Sequence, residues 1–375
     1  MAPNNALMKS KLGDEDTADL NGQGDTATNQ EQDVGPAART RGGVVSSEEV
    51  AGRGDGVNEA SEGGEAEAEW FKELKRALVA AMFLTRLPMP AFVDHNPRDL
   101  VPGMMYFPLI GSIVGIWCGL WYEALVQLWN PLIAACASTL AGVWVSGCFH
   151  EDGLMDTTDA FGGGWTRAQI LRIMKDSRCG TYAVVVMNLF MTAKIALLED
   201  LGSDVEHGLA QVQGALVVAH TCSRITSLWL VSLFDYVHDE GDDKGLLYNT
   251  FAGCLRAGLL SWPRVILASV YALGVGALIL PLERLVLIIV VLAIMIVGSG
   301  FYARSILGGV IGDYLGAIIM LTEALIYMTL TADLSNLTPA AWIRLFLFCG
   351  VPALFMPGVS GFLARQGVAQ ACHTD

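Results

Sequence analysis

Residues 147–180 read GCFHEDGLMDTTDAFGGGWTRAQILRIMKDSRCG, a charged insert between two apolar runs. Ionised groups placed there need water, one another or a metal to offset their desolvation. Asp152, Asp156 and Asp159 recur at i, i+4 and i+7, which on a helix confines three carboxylates to a sector about 60° wide on one face. Three such anions repel unless a cation joins them. A hard divalent ion, Mg²⁺ above all, takes oxygen ligands and commonly bridges one or two carboxylates to a substrate phosphate. The same acids also suit the solvated first turn of a helix in the headgroup region, where the dipole favours them. A basic helix follows. After Gly162, Gly163 and Gly164, Thr166 is a candidate N-cap and Ile170, Ile173 and Met174 form an apolar stripe. Arg167, Arg172, Lys175 and Arg178 supply cations, with Asp176 and Ser177 between the last two. Acids for a metal, then bases for phosphate oxygens, is the arrangement that phosphoryl transfer uses.

Four other positions have chemical potential. Arg86 stands in Thr85-Arg86-Leu87-Pro88-Met89-Pro90, an irregular corner enforced by the prolines, and serves there either as a snorkelling interfacial cation or as a phosphate contact. Arg224 lies inside an apolar run with His220 and Ser223; such an arginine must face the bundle interior and find an anionic partner, in a site or in a structural pair. Asp313 stands among Gly308, Gly309, Gly312 and Gly316, either as a helix cap or where glycines let backbone approach a phosphate or metal. His150 sits about 160° from Asp152 on a continuous helix. It can act as a base beside the acids only if the helix begins after it.

The elements that must carry these residues are membrane helices. Hydrophobic residues make up 53% of the chain, and runs of roughly 20 apolar residues imply bilayer crossings. The expected fold is all-α: a polytopic transmembrane bundle of about seven to eight spans, at 107–129, 131–148, 182–198, 209–233, 265–280, 285–302, 315–330 and 342–363. An amphipathic helix over 70–84 precedes them, on or entering the membrane surface. Gly111, Gly115 and Gly119 flatten one face of the first span for close helix approach. Residues 1–69 hold 15 Asp/Glu against 5 Lys/Arg, so −10 of the chain's net charge of −15 lies there. That acidic, weakly hydrophobic extension reads as disordered, which leaves 70–365 as the membrane domain and 366–375 as a short tail. The acids of the extension do not fit a standard transit peptide, and no early apolar run marks a secretory signal. The eight cysteines are scattered without a CxxC pair and read as small apolar residues. No basic stripe with interleaved aromatics points to nucleic acid.

Lys/Arg asymmetry orients the chain. Lys72, Lys75, Arg76, Arg86, Arg172, Lys175, Arg178, Lys244, Arg264 and Arg304 all fall on one side if pairs of spans separate the polar stretches. By the positive-inside rule that side is cytoplasmic or its equivalent, and every candidate site residue reaches it.

In order along the chain, several separated stretches resemble the cobalamin synthase (adenosylcobinamide-GDP ribazoletransferase) family over roughly residues 70–332. They are Thr85-Arg86-Leu87-Pro88, Phe107-Pro108-Leu109-Ile110-Gly111, Phe149-His150 through Asp159, Arg172 through Arg178, Ser223-Arg224, and Leu307-Gly308-Gly309 through Gly312-Asp313 with Glu323. The resemblance implies transfer of the cobinamide-phosphate part of adenosylcobinamide-GDP to α-ribazole or its 5′-phosphate, releasing GMP. Under it, Asp152, Asp156, Asp159 and Asp313 would hold Mg²⁺. Asp152, Asp156, His150 and Arg178 would serve catalysis, and Arg86, Lys175, Asp176, Ser177, Arg224 and Gly312 would bind substrate. Expected partners are the two substrates and the lipid bilayer, with room for a membrane complex with other corrinoid-pathway enzymes. The expected location is a bacterial inner membrane, or an organelle membrane given the extension. Prenyl or CDP-alcohol transferases also pair aspartates with diphosphates, but at other spacings. A transporter would line a path with buried charges at midplane, whereas the charges here read as clustered toward one face.

Overall fold

The computed structural model describes residues 69–93, 97–204, 206–237 and 260–333; the acidic extension, the span expected at 342–363 and the loop over 238–259 lie outside them. The helices are α1 (Glu69–Leu84), α2 (Pro97–Gly103), α3 (Phe107–Val126), α4 (Pro131–Ser146), α5 (Phe149–Gly163), α6 (Arg167–Met174), α7 (Thr181–Gly202) and α8 (Gly208–Leu233). The chain continues with α9 (Trp262–Ile279), α10 (Leu282–Leu307) and α11 (Gly312–Thr331). Among the described residues the only extended pairing is an isolated parallel bridge, Tyr236 with Val310. The fold is therefore all-α, as the apolar runs require.

Among the described residues six helical stretches are long and apolar enough to cross a membrane: Asp99–Val126, α7, α8, α9, α10 and α11. The second expected span differs. α4 is followed by α5 at a bend of 90°, and only the bent pair together makes a seventh candidate. Gly147 and Cys148 both adopt left-handed backbone, φ 68° and 61°. Their N–H groups return to Trp144 O and Val143 O, closing α4 with a Schellman-type cap. The chain thus turns sharply and places the acidic helix across the end of the bundle instead of prolonging the span. Outward apolar side chains such as Trp144, Leu189, Leu278 and Ile294 remain exposed, as lipid-facing surfaces must be.

α8 is the central post, buried along most of its length. The Gly111/Gly115 face of α3 allows its approach: a Cβ at Gly111 would stand 2.2 Å from His220 O, and one at Gly115 2.7 Å from Leu216 O. The glycine repeat is a packing seam, as its four-residue period implies.

α1 is tied to the bundle by polar contacts. Glu73 accepts from Arg264 at 2.5 Å and 3.1 Å, from Tyr106 Oη at 2.8 Å and from Arg76 at 2.6 Å. The Arg264 hydrogen bond first, then those from Tyr106 and Arg76, outweigh partial burial and hold the Glu73 carboxyl down to about 2. A depressed carboxyl stabilises the docked helix fully above the ordinary glutamate value of 4.5 and loses that contribution as pH falls through about 2. Protection factors of the α1 amides in hydrogen exchange should therefore drop between about pH 4.5 and pH 2 while those of α8 hold. Glu73→Gln should lower them already at neutral pH; unchanged α1 protection in both cases would show that the pairing does not dock the helix.

Candidate active site

α5 begins at Phe149 and runs through Gly163, so Asp152, Asp156 and Asp159 do share one helix face. Asp152 is exposed, and Asp156 and Asp159 are half-buried. α5 is pressed against the start of α11: a Cβ at Gly153 would lie 2.7 Å from Asp313 O, and one at Gly316 3.5 Å from His150 Cα. This contact brings a fourth carboxylate to the face. The Asp156 carboxylate interacts electrostatically with Asp152, Asp313 and Asp159. Neither Asp152 nor Asp156 makes a side-chain hydrogen bond or ion pair among the described residues.

The loop before α11 is held from the end of α8. Val237 N donates to Val310 O and Val310 N to Asp235 O, each at 2.8 Å. A Cβ at Gly309 would clash with Asp235 O, and one at Gly312 would stand 3.2 Å from Tyr236 Oη. Gly309 and Gly312 thus make room for the 235–237 segment. Sequence reading did not single out Tyr236, which a polar loop gave no reason to notice.

The basic side is built by α6 and the turn after it. Thr166 caps α6, accepting from Gln169 N at 3.3 Å, while the Gln169 side chain accepts from Thr166 N at 3.2 Å. The stripe Ile170, Leu171, Met174 is buried, leaving Arg172 and Lys175 exposed. Arg167 donates to Leu307 O at 2.7 Å, which fastens α6 to the end of α10. Arg178 pairs with Asp176 at 2.6 Å on the surface. Its side-chain and backbone hydrogen bonds hold the Asp176 carboxyl down to about 2. Exposed pairs of this kind are weak, and Ser177 is exposed beside Arg178. Arg86 N donates to Val145 O at 2.8 Å, and its side chain lies over Gly147, where a Cβ would stand 2.1 Å from Nε. The left-handed Gly147 thereby seats an exposed cation at the entry of α5.

Three expected roles need correction. Asp159 accepts from Gly180 N at 2.5 Å and Ala183 N at 2.9 Å, so both oxygens cap the start of α7 instead of standing ready for a metal. His150 lies within the first turn of α5 and is buried, with Nε2 lacking a hydrogen-bond partner in the interior. It is turned away from Asp152, and the condition for its acting as a base there is not met. Arg224, only 1% exposed, is sealed inside the bundle and donates to His220 O at 2.5 Å. It does not reach the acidic face as a substrate contact.

A multi-pass helical membrane protein that collects carboxylates and cations at one end of its bundle belongs to the class equipped to act on an anionic, phosphate-bearing substrate at a membrane boundary. The family model described as cobalamin-5-phosphate synthase matches residues 76–331, and the chain belongs to that family. A protein of Shewanella frigidimarina (strain NCIMB 400) named adenosylcobinamide-GDP ribazoletransferase is 36% identical over 269 residues, covering 71% of this chain and 97% of the relative. The proteins of that name from Shewanella piezotolerans (strain WP3 / JCM 13877) and Shewanella baltica (strain OS195) are 34% and 35% identical over 261 and 266 residues. Each covers 70% of this chain, and 96% and 95% of the respective relative. No solved structure matches the chain.

Proposed function

We propose that this chain is a membrane transferase that joins adenosylcobinamide-GDP to α-ribazole or its 5′-phosphate, giving adenosylcobalamin or its phosphate and GMP. Family membership and relatives matched over nearly their whole length support the reaction. The observation that carries the site is the meeting of α5 and α11 at Gly153 and Asp313, which sets both Asp152 and Asp313 within electrostatic range of Asp156.

Among the described residues no three His, Cys, Asp or Glu side chains are gathered closely enough to hold a metal by themselves. The donor set nevertheless suits Mg²⁺, which takes one or two carboxylates and completes its shell with water and substrate phosphate oxygens. Asp152 and Asp156, with Asp313 beside them, would hold it, and bound there it would neutralise charge on the diphosphate. The chain's own part is positioning. Arg178, Lys175 and Arg86 bind phosphate oxygens, and Asp176 keeps the Arg178 fork oriented until substrate arrives. The ribose hydroxyl oxygen forms the new P–O bond, the P–O bond to GMP breaks, and the hydroxyl proton passes to solvent. A loose phosphoryl transition state asks mainly for this placement and for stabilisation of the departing phosphate. The basic residues on the site end support a cytoplasmic or equivalent surface for it.

The test is direct. The purified, detergent-solubilised protein, given adenosylcobinamide-GDP, α-ribazole and Mg²⁺, should release GMP in step with a completed corrinoid. Corrinoid substrate left intact by the folded protein would overturn the reading.

A further inference from the structure

Behind the acidic face, at mid-span, lies a second set of ionisable groups that the reaction as described does not use. Lys194 of α7 meets Glu323 of α11 at 2.6 Å, both about 5% exposed or less. His220 Nδ1 of α8 lies 3.3 Å from the other Glu323 oxygen, and Tyr327 donates to Glu323 at 3.2 Å. Arg224 completes the group through His220, donating to the His220 carbonyl and standing 3.3 Å from the same Nδ1 that faces the carboxylate. His150 and Glu151, the two residues before Asp152, are buried and interact electrostatically with Lys194, Arg224 and Glu323. Among the described residues His150 Nε2 and Glu151 Oε2 find no hydrogen-bond partner.

Stability does not account for such a cluster. Buried ion pairs are often replaceable by apolar side chains of similar volume without loss, and inside a membrane span charges are retained for function by default. Its placement supplies the reason. Glu323 lies ten residues beyond Asp313 on the same helix, about 15 Å along its axis. Lys194 belongs to α7, whose first turn is capped by Asp159 of α5. α5 presses its Gly153 against Asp313. The pair therefore joins the two helices, α7 and α11, between which the acidic helix is suspended.

We infer that Lys194 and Glu323 are positioning residues: their pairing fixes the rotation of α11 against α7, and with it the separation of Asp313 from Asp152 and Asp156. This rests on the proposed function for its kinetic readout, but not for its binding readout. The deciding variant is the double Lys194→Met/Glu323→Met, which removes one charge of each sign and keeps the volume. It should keep the thermal midpoint of the wild type. Its kcat should fall about a hundredfold and its affinity for Mn²⁺ in the presence of GDP, read by electron paramagnetic resonance, about tenfold, with KM for α-ribazole unchanged. Glu323→Asp, which keeps the charge but shortens the reach, should move both quantities in the same direction by less. Wild-type kcat and Mn²⁺ affinity in the folded double variant would overturn the inference. Should the double variant not fold, the same result in Glu323→Asp would overturn it. A wild-type protein that releases no GMP would overturn the proposed reaction instead, and the Mn²⁺ and GDP titration would still decide the role of the pair.

Discussion

Replacing Asp152 or Asp156 by Asn should lower GMP release on the order of a thousandfold, a loss of about 4 kcal/mol in transition-state stabilisation. Each substitution keeps shape and removes one charged oxygen donor from a face that already lacks a closed metal cage. With so few protein ligands, the loss of one charged donor weakens the site strongly. Raising Mg²⁺ should recover part of the lost activity, because weaker binding is offset by mass action. Asp159→Ala should behave differently, although Asp159 lies on the same face. Its oxygens cap Gly180 and Ala183, so the expected loss is about 1 kcal/mol of stability, with the Mg²⁺ dependence of the remaining activity unchanged. A Mg²⁺ titration of GMP release beside thermal unfolding separates the outcomes. Wild-type turnover with unchanged metal dependence in both Asp152→Asn and Asp156→Asn would remove the metal from the account.

What could be read from residue order depended on how local the cause was. The acidic face of α5, the Thr166 cap of α6 and the Gly111/Gly115 seam all follow from spacing within one or two turns, and the structure contains each of them. The bend at Gly147 and Cys148 did not announce itself: a Gly-Cys pair at the end of an apolar run equally permits a helix to continue. The role of His150 is conditional on where α5 starts, and a start at Phe149 puts it inside the first turn. Asp159 gave no sign of its capping role because its partners are 21 and 24 residues away.

Lys194 was missed for another reason. A single lysine in TYAVVVMNLFMTAKIALL barely lowers the hydropathy of the run, and only the need for a buried partner would have paired it with Glu323 across the sequence. The expectation that charges gather toward one face is corrected by the same cluster: Lys194, His220 and Glu323 sit near the middle of their helices. Midplane charge by itself is also a transporter's feature. Family membership and the acidic face at the end of the bundle weigh against that reading.

The second large effect is expected from adding one methyl group. In Gly153→Ala the new Cβ would stand 2.7 Å from the Asp313 carbonyl oxygen and 3.3 Å from its Cα, both backbone atoms that cannot rotate aside. α5 and α11 must then separate. Overpacking of this kind costs about 1–3 kcal/mol of stability, and displacement of reacting groups by about 1 Å lowers turnover on the order of a hundredfold. Asp152 and Asp156 themselves remain, so the loss should appear in kcat and in the Mg²⁺ requirement more than in KM for α-ribazole. Gly298→Ala in α10 is the matched control: a Cβ there meets nothing within 4 Å, and exchanging Gly for Ala inside a helix favours the helix. It should leave activity intact and raise the thermal midpoint slightly. If Gly153→Ala matched Gly298→Ala in turnover and Mg²⁺ dependence, the close approach of α5 to α11 would not be what assembles the acidic face. The carboxylates would then act from α5 alone.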